Sequence, residues 1–566
     1  MQTQKTLFWL LAILSVLVIL PFLGETIFYS KGEPREAIVA YTMLESGNWT
    51  LPLNYGADMA FKPPFLYWCI ALFSSLSGGV SEYTSRLPSA LSFLAMLWVV
   101  YAFFAKRKGV KVAFLTALLL LTSFEVHRAA VACRLDMLQV SLMVIAMIGL
   151  FRWDEKQCRG IPWLPILLMA AASLTKGPVG SLFPCLVMGV YQLLRGRRFW
   201  SAFFPLVAIG LASLVPLALW YWAAYHQGGE AFAALMQEEN TNRFLSKMSY
   251  ASHENPLWYN FLTIIWGWIP WTIVLLFSLF CLKWKRPHLP VQWGETLRRG
   301  WMRFRGQSPV QLFTWVVILV IFIFYCIPKS KRSVYLLPIY PFMALLIADY
   351  LLAMVRRSVK LFRLSTMLFA SLCLLLTLTF LSVRLGWIPE SVFGSGRHAA
   401  ENIAFMHALQ TTSFSIPQWL LIALPVIAAL SAWSSLRKRA GAYTLLYGLV
   451  GCVLCLFVAL DGVYQPTVLA VKSDKHLAAR IREQVPTGVV YSYLSSFYCV
   501  NYYLHDAMRH FTAEHPTEGY VVLPERDNDR FLKEYAHTYQ LEEIFLTTRR
   551  SCDLRDEIYL YKFIRK

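Results

Sequence analysis

Charged residues are scarce in this chain, and acidic ones are the scarcer kind. Only 15% of the 566 residues are charged, and 33 Asp and Glu stand against 53 Lys and Arg, for a formal charge of +20. Hydrophobic residues make up 57% of the chain, more than in ordinary soluble domains. A soluble globule is therefore not expected. The basic excess points to cytoplasmic loops and to anionic lipid or phosphate partners, with no need for nucleic acid.

Other features are missing as well. The N-terminal apolar run, Leu7 to Leu23, is followed by no small-residue cleavage site, so it is expected to remain as a first membrane span. No repeat or low-complexity segment supports a transporter built from internal repeats. Most cysteines lie in apolar runs and are expected to be small core residues. Cys499 and Cys552 lie in the polar C-terminal region instead, where an oxidising compartment would permit a disulfide.

Long apolar runs recur through most of the chain and predict about thirteen membrane spans. They lie near residues 8–28, 87–105, 112–127, 137–152, 161–174, 178–194, 202–224, 258–281, 310–327, 334–354, 363–385, 415–433 and 441–461. With the N-terminus in the cytoplasm every predicted cytoplasmic loop is basic, as the distribution of Lys and Arg in membrane proteins requires. An odd number of spans places the C-terminus outside. The fifth and sixth spans are the weakest, and a miscount of one would move the C-terminus to the cytoplasm.

The predicted fold class is a multi-span α-helical membrane protein with a small C-terminal α/β domain. We expect a transmembrane region at residues 1–464, with interfacial helices in its first outer loop at about 29–80, and a soluble domain at 465–566. Residues 489–493, 519–523 and 557–563 are strand candidates, and residues 475–484 and 527–535 are helix candidates. Short alternating elements of this kind are typical of an α/β domain.

The first outer loop concentrates charge where little is expected. Apolar residues at helical spacing, from Glu33 to Leu44 and from Pro64 to Phe73, predict two short helices in the membrane interface. Their polar faces would roof a cavity in which a carboxylate takes a proton from an acceptor hydroxyl while Arg35 and Lys62 hold a phosphate. The alternative is that these residues are solvated charges that anchor the loop.

Ordered motifs extend from this loop through the membrane region. Residues 32–49 read G-E-P-R-E-A-I-V-A-Y-T-M-L-E-S-G-N-W, and residues 61–68 read F-K-P-P-F-L-Y-W. R-L-D follows at 134–136, L-T-K-G-P at 174–178, H-E-N-P-L-W-Y at 253–259 and P-K-S-K-R-S-V-Y-L-L-P at 328–338. In order and spacing this pattern resembles the polyprenyl-phosphate-dependent GT-C glycosyltransferases, particularly the bacterial relatives of protein O-mannosyltransferase and the lipid A aminoarabinose transferase.

The resemblance implies an inverting glycosyltransferase of GT-C fold in a bacterial inner membrane, with the C-terminal domain in the periplasm. It would move a sugar from a polyprenyl (undecaprenyl) phosphate donor to a lipid A-like or other envelope acceptor. An enzyme resembling protein O-mannosyltransferase is one alternative, and a transporter or flippase of lipid or polyprenyl phosphate is another. Ionisable residues gather near the outer span ends rather than at mid-span, which favours surface chemistry over transport. The protein is expected to be a monomer among membrane lipids.

The resemblance also implies residue roles. Glu33 and Asp136 are the expected catalytic carboxylates, because Gly32 stands where the family has its first acid. Glu33 is the first choice for the base that takes the proton of the acceptor hydroxyl, and Asp136 is the alternative. The expected substrate-binding residues are Arg35, Lys62, Tyr67, Lys176, Arg243, His253, Lys329, Lys331 and Tyr335. Several alternatives remain open: Asp136 as a structural ion pair with Arg134, Arg243 in an exposed salt bridge, and Tyr335 as a membrane-belt residue.

No cofactor is firmly implied, and a divalent metal stays an open possibility. Phe61 stands where metal-binding relatives have an acid, which argues against a metal at that point. His253 would position substrate, ligate a metal or be an ordinary loop histidine, since it lacks a complete ligand set nearby.

Overall fold

The computed structural model describes residues 2–56, 58–60, 62–238, 254–282, 293–396 and 398–566. Most of them are helical, and long apolar helices bury one large core. The helices of the membrane region are α1 Gln2–Ile19, α2 Gly32–Ser46, α3 Phe65–Leu76, α4 Glu82–Lys108, α5 Val110–Leu121, α6 Phe124–Ala130, α7 Leu135–Glu155, α8 Trp163–Lys176, α9 Val179–Leu194, α10 Phe199–Met236, α11 Tyr259–Gly267, α12 Trp271–Leu279, α13 Trp293–Arg305, α14 Pro309–Cys326, α15 Tyr340–Val355, α16 Val359–Arg384, α17 Ala399–Thr411, α18 Ile416–Arg437, α19 Ala442–Ala459 and α20 Gln465–Ala470. A 3-10 helix, Ser333–Ile339, leads into α15, and a π-helical turn, Leu460–Tyr464, joins α19 to α20.

Among the described residues, nine helices are long and apolar enough to cross a membrane, or up to eleven if each of two bent helix pairs is one span. The predicted fold class is thereby confirmed. The two other predicted spans, the fifth and sixth, fall on α8 and α9, which have 14 and 16 residues where a span needs about 20. The count of thirteen therefore stays a prediction.

The two bent pairs are joined at their bends. α5 and α6 meet at 68°, and α11 and α12 at 102°. The N–H of Phe124 donates to the carbonyl of Ile269 at 2.9 Å, and Trp271 Nε1 donates to Thr122 Oγ1 at 2.9 Å. These bonds satisfy backbone and side-chain polar groups that the breaks would otherwise leave buried and unpaired. They also fix the direction of α6, which carries charged residues of the site.

The first outer loop forms two short helices, α2 and α3, in the predicted places. Between them a small antiparallel hairpin pairs β1 Leu53–Asn54 with β2 Asp58–Met59. α2 ends at Gly47, whose φ of 68° is a left-handed conformation that glycine adopts readily. Nine of its residues are buried, more than a helix lying on an interface with one wet face would bury. The burial arises because α3 and the C-terminal domain cover it.

The C-terminal domain has a five-stranded sheet with the order β4-β3-β5-β7-β6. Its elements are α21 Lys475–Gln484, β3 Val490–Ser492, α22 Tyr498–Tyr503, β4 Met508–His510, α23 Phe511–Glu514, β5 Glu518–Pro524, α24 Glu525–Tyr535, β6 Tyr539–Leu546 and β7 Ile558–Arg565. β3 is parallel to β4 and β5, whereas β7 is antiparallel to β5 and β6. The three strand candidates and two helix candidates from the sequence all lie on elements of the predicted type. Cys499 and Cys552 are both free thiols.

This domain is hydrogen-bonded to the first outer loop. Tyr503 Oη donates to the Glu82 carboxylate at 2.6 Å and accepts the N–H of Phe28 at 3.0 Å. Ser473 Oγ donates to the Phe28 carbonyl at 2.5 Å, and the N–H of Tyr55 donates to Asp506 at 3.0 Å. The domain therefore holds both ends of the segment that carries Glu33, one of the two predicted catalytic residues.

Candidate active site

Glu33 lies in the first turn of α2, where a carboxylate suits the helix dipole. A capping box of Ser81 and Thr84 starts α4 and places Arg86 one turn into that helix. Arg86 Nε donates to Glu33 Oε1 at 2.8 Å, and Nη2 donates to Oε2 at 3.0 Å. The N–H of Cys133 also donates to Glu33 Oε1 at 2.8 Å. Glu33 therefore sits in a buried bidentate ion pair that connects three segments of the chain.

The surroundings of Glu33 make it a weak base. Burial raises its pKa, but the charge and hydrogen bonds of Arg86 and the N–H of Cys133 outweigh burial and lower the pKa below its usual value. A carboxylate that already accepts three hydrogen bonds has little capacity left for the proton of a substrate. The geometry favours a role for Glu33 in positioning, and its role as the base stays a prediction.

Arg134 lies against α2 at the point where the chain departs from the family pattern. A Cβ added at Gly32 would lie 3.1 Å from Arg134 Nη2, closer than ordinary van der Waals contact. The side chain of an acid at position 32 would therefore require the guanidinium to move. Gly32 leaves room for Arg134 beside the N-terminus of α2.

Arg35, Glu36 and Tyr67 form a second buried cluster on another face of α2. Arg35 Nη2 donates to Glu36 Oε1 at 2.6 Å, and Tyr67 Oη donates to Glu36 Oε2 at 2.8 Å. The side chain of Arg35 keeps 31% of its surface exposed, whereas that of Glu36 keeps 3%. Tyr67 is 3% exposed, so it orients Glu36, and through it Arg35, rather than presenting its hydroxyl to a substrate.

Asp136, Lys176 and Tyr335 come together from three separate elements. The Lys176 ammonium is paired with the Asp136 carboxylate and lies 4.9 Å from the centroid of the Tyr335 ring. Tyr335 in turn stacks on Tyr325 with ring centroids 5.2 Å apart. The structure thus pairs Asp136 with Lys176, whereas the sequence offered Arg134 as its structural partner. The ammonium has three N–H donors and the Lys176 side chain is 22% exposed, so Lys176 can contact a phosphate in addition to Asp136.

The remaining predicted cations are less closely grouped. Lys331 is 5% exposed, and its ammonium donates to the carbonyls of Pro328 and Asn255 at 2.6 and 3.2 Å. Two of its three donors thus tie loops together. Lys329 is exposed and Lys62 is half-buried in the segment before α3. Arg243 and His253 lie outside the described residues, as does Phe61, so their predicted roles stay predictions.

A cavity of about 430 Å³ opens beside Glu33. Its walls include the end of α1, the start of α4, α6, the segment before α7, and the π-helical turn after α19. The charged and titratable groups in its lining are Tyr29, Glu33, Arg86, His127, Arg128, Arg134, Asp136 and Asp461. Of the predicted site residues that the structure describes, only Glu33 and Asp136 line this cavity.

Four lining residues were missed by the sequence-based prediction of the site: Arg86, His127, Arg128 and Asp461. An ionisable residue near the end of a membrane span was the available signal, because such groups are costly and usually have a partner. His127 ends the third predicted span and Asp461 ends the last. Their Nε2 and Oδ2 atoms are 2.6 Å apart, yet 334 residues separate them along the chain.

Potential metal ligands cluster in one place among the described residues. Asp474, Cys499 and Cys552 each offer an atom within 4.8 Å of the others, in the C-terminal domain and apart from the cavity lining. A divalent metal at the active site is left open by the sequence and stays open.

The architecture and the buried cluster at one end of the helices define a GT-C glycosyltransferase fold. A crystal structure of ArnT from Cupriavidus metallidurans bound to undecaprenyl phosphate superposes on this chain with a TM-score of 0.69 and 19% sequence identity, over 97% of both chains. At this level of identity the likeness establishes the fold.

Sequence comparisons point to particular relatives. A family model described as dolichyl-phosphate-mannose-protein mannosyltransferase matches residues 61–222. An uncharacterized protein of Aquifex aeolicus is 27% identical over 390 residues, 67% of this chain and 72% of that protein. The undecaprenyl phosphate-alpha-4-amino-4-deoxy-L-arabinose arabinosyl transferase 2 of Proteus mirabilis is 26% identical over 347 residues, 60% of this chain and 58% of that protein.

The predicted resemblance is confirmed by these comparisons. The chain resembles aminoarabinose transferases and O-mannosyltransferases, and the named relatives support the predicted enzyme class, a glycosyltransferase with a lipid-linked donor. The matched region spans less than two thirds of the Proteus mirabilis enzyme.

Proposed function

We propose that this protein is an inverting glycosyltransferase that moves a sugar from a polyprenyl phosphate, such as undecaprenyl phosphate, to a lipid A-like or other envelope acceptor. The observation that supports it best is the Asp136, Lys176 and Tyr335 cluster, which lies in a fold shared over 97% of the chain with a protein crystallised with undecaprenyl phosphate. The reaction would take place at the periplasmic face of a bacterial inner membrane.

The cations would act on the departing phosphate. As the bond from the anomeric carbon to the phosphate oxygen breaks, the sugar becomes oxocarbenium-like and negative charge collects on the phosphate. Lys176 beside Tyr335, together with Arg35 held by Glu36, offers donors that are already oriented and partly dehydrated. Preorganised donors of this kind each lower a barrier by about 2.7–4 kcal/mol. Lys62 is expected to join them from the segment before α3.

The cavity beside Glu33 would take the acceptor. Its lining places three guanidinium groups, those of Arg86, Arg128 and Arg134, near three carboxylates, those of Glu33, Asp136 and Asp461. These positive and negative charges balance, so the cavity has no excess positive charge that would select a polyanion. It suits a polar, hydroxyl-bearing acceptor with an anionic group at its edge. Apolar side chains such as Phe22 and Phe457 complete the wall and match the lipid part of a glycolipid.

Charge along α4 supports the proposed orientation. Arg86 at the start of the helix lines the cavity, while Lys106, Arg107 and Lys108 occupy its last turn. Basic helix ends mark the cytoplasmic side, so the cavity would open on the opposite, periplasmic side. The N-terminus would then be cytoplasmic and the C-terminal domain periplasmic.

The test is sugar transfer by the purified full-length chain in liposomes. Undecaprenyl phosphate carrying 4-amino-4-deoxy-L-arabinose or mannose would be supplied with lipid A, dephosphorylated lipid A or a serine-containing peptide, and products identified by mass spectrometry. We expect transfer to a lipid A species, with kcat/KM reduced about 100- to 1,000-fold by Lys176→Ala. The exposed Lys533→Ala substitution is the matched control.

The outcomes separate the alternatives. Transfer to the peptide alone would favour an enzyme resembling protein O-mannosyltransferase, for which the family model over residues 61–222 is the supporting observation. No transfer to any acceptor, together with movement of undecaprenyl phosphate between leaflets, would replace the enzyme with a flippase. Mass spectrometry of envelope lipids and glycoproteins from a deletion strain would identify the natural product.

A further inference from the structure

A histidine and an aspartate form a buried pair in the wall of the acceptor cavity. His127 lies on α6 and is 6% exposed, and Asp461 lies in the π-helical turn and is 8% exposed. His127 Nε2 is 2.6 Å from Asp461 Oδ2, and Gln465 Nε2 donates to Asp461 Oδ1 at 2.8 Å. The ring of Phe457 packs 4.4 Å from the imidazole, centroid to centroid. The pair is therefore rigidly held among apolar neighbours.

The hydrogen bond to Asp461 determines which nitrogen of His127 carries hydrogen. An ionised carboxylate only accepts, so Nε2 is the donor and Nδ1 of the neutral ring keeps its lone pair. Nδ1 is buried and has no hydrogen-bond partner among the described residues. His127 lines the cavity, so an acceptor hydroxyl can meet this lone pair when the side chains that cover Nδ1 move aside.

The other carboxylates of the cavity are less suited to take a proton. Glu33 accepts three hydrogen bonds, two of them from Arg86. Asp136 is paired with the ammonium of Lys176. By contrast, the partner of Asp461 is an imidazole, and the guanidinium of Arg128, one residue along α6, is bound to Glu125 at 2.7 Å. A carboxylate that orients an imidazole is the arrangement by which enzymes make histidine a general base.

Local backbone structure supports a special role for this pair. The turn Leu460–Tyr464 is π-helical between two α-helices, and single π-helical turns inside α-helices are frequent at functional sites. α6 is a separate short helix because the chain bends by 68° after α5. Each residue of the pair is thus presented by an interruption in a membrane helix.

We propose that His127, oriented by Asp461, is the general base that activates the acceptor hydroxyl. This inference rests on the proposed glycosyltransferase function and adds the residue that receives the proton. Nδ1 takes the hydroxyl proton while the hydroxyl oxygen forms a bond to the anomeric carbon. The bond from that carbon to the phosphate oxygen breaks, and its electron pair leaves with polyprenyl phosphate. Asp461 stabilises the imidazolium, which then releases its proton to water.

The proposal determines the chemical class of acceptor. A phosphate monoester is already ionised near neutral pH and needs no base, whereas a sugar or lipid hydroxyl does. If His127 is the base, the acceptor group is therefore a hydroxyl and not a phosphate. Asp461 acts through His127 and is a positioning residue.

The experiment compares His127→Asn, His127→Ala and Asp461→Asn with the exposed control His476→Asn in the full-length chain in liposomes. The donor is undecaprenyl phosphate carrying 4-amino-4-deoxy-L-arabinose, and the acceptors are lipid A and dephosphorylated lipid A. We expect His127→Asn to lower kcat for dephosphorylated lipid A about 100- to 10,000-fold, with the donor KM within about twofold of wild type. Added imidazole should restore part of the rate of His127→Ala, and Asp461→Asn should lower kcat without changing the donor KM.

Three results would overturn the proposal. The first is an unchanged kcat in His127→Asn. The second is wild-type transfer to lipid A phosphate only, which would leave the proposed glycosyltransferase function intact. The third is a loss without imidazole rescue in His127→Ala that occurs equally with both acceptors. If either His127 variant fails to fold, the kcat of Asp461→Asn tests the proposal instead. An unchanged kcat in that variant would overturn it. A wild-type chain that transfers no sugar would refute the proposed function itself and this inference with it.

Discussion

Glu33 in the cavity and Asp553 in the C-terminal domain are both buried carboxylates, but their pKa values are shifted in opposite directions. Arg86 holds both oxygens of Glu33 and lowers its pKa despite burial. Asp553 accepts the N–H of Cys499 at 2.7 Å on one oxygen, while its other oxygen is buried without a partner among the described residues. Burial and the nearby charge of Asp474 raise the pKa of Asp553 to about 7. Burial alone therefore does not determine the charge of a carboxylate, because its partner does.

The largest expected effect comes from removing the partner of Glu33. Arg86→Met would leave a buried carboxylate without its cation, and losing one member of a buried ion pair costs about 3–5 kcal/mol. We expect a lower thermal midpoint and poor recovery of folded protein from detergent. The exposed Arg152→Met substitution is the control. Glu33→Gln combined with Arg86→Met should recover part of the loss, and equal stability of the single variant and the wild type would contradict the account of this pair.

A smaller effect is expected at the second glutamate of α2. Tyr67→Phe removes the hydroxyl that donates to Glu36 at 2.8 Å, and a hydrogen bond to a charged group contributes about 1.5–3 kcal/mol. The free energy of unfolding should fall by that amount, and the donor KM should rise because Arg35 loses its orientation through Glu36. Tyr443→Phe, at an exposed position, serves as the comparison. An unchanged donor KM would show that the orientation of Arg35 by Glu36 does not matter for donor binding.

The smallest effect is expected at Asp553, and it depends on pH. The pKa of Asp553 is about 7 in the folded chain and about 3.9 in an unfolded one. Between these values the folded state binds more protons, so stability falls as pH rises from about 4 to about 7 and is then constant. Asp553→Asn should flatten this slope and stabilise the domain above pH 7, where the wild-type carboxylate is ionised although it is buried.

Hydrogen exchange of the sheet amides in the full-length chain, measured across this pH range, would test the prediction at Asp553. The exposed Asp529→Asn substitution should keep the slope. Burial raises the pKa of Asp474 as well, so a weaker slope of the same sign should remain in Asp553→Asn. A slope as steep as that of the wild type would show that Asp553 does not cause the pH dependence of stability.

Membrane helices and C-terminal strands were predictable because their patterns are local. A run of apolar residues long enough to cross a bilayer identifies a helix wherever it packs, and each of the thirteen predicted segments overlaps a helix of the structure. The same holds for the strand candidates, such as residues 519–523, which became β5. The burial of α2 was not predictable, because it depends on a domain that begins more than 400 residues later.

Motif spacing placed Glu33, Arg35 and Lys176 among the candidate residues, but it did not say which charge each would meet. The sequence offered Arg134 as the partner of Asp136, and the structure pairs Asp136 with Lys176. The sequence did not single out Arg86, because a charge near the beginning of a membrane span is common and does not by itself indicate a site. An ion pair needs two side chains within a few ångströms of each other, and sequence separation carries little information about that distance.

By itself, the sequence determined that this chain is a helical membrane protein with a C-terminal α/β domain and a charged first outer loop, because hydropathy and short-range periodicity act within single segments. Only the tertiary structure decided which charges are paired, which carboxylate keeps a lowered pKa, and that His127 meets Asp461. Those outcomes depend on how bent and packed helices bring distant residues together, and in a low-dielectric interior electrostatic energies change greatly over a few ångströms.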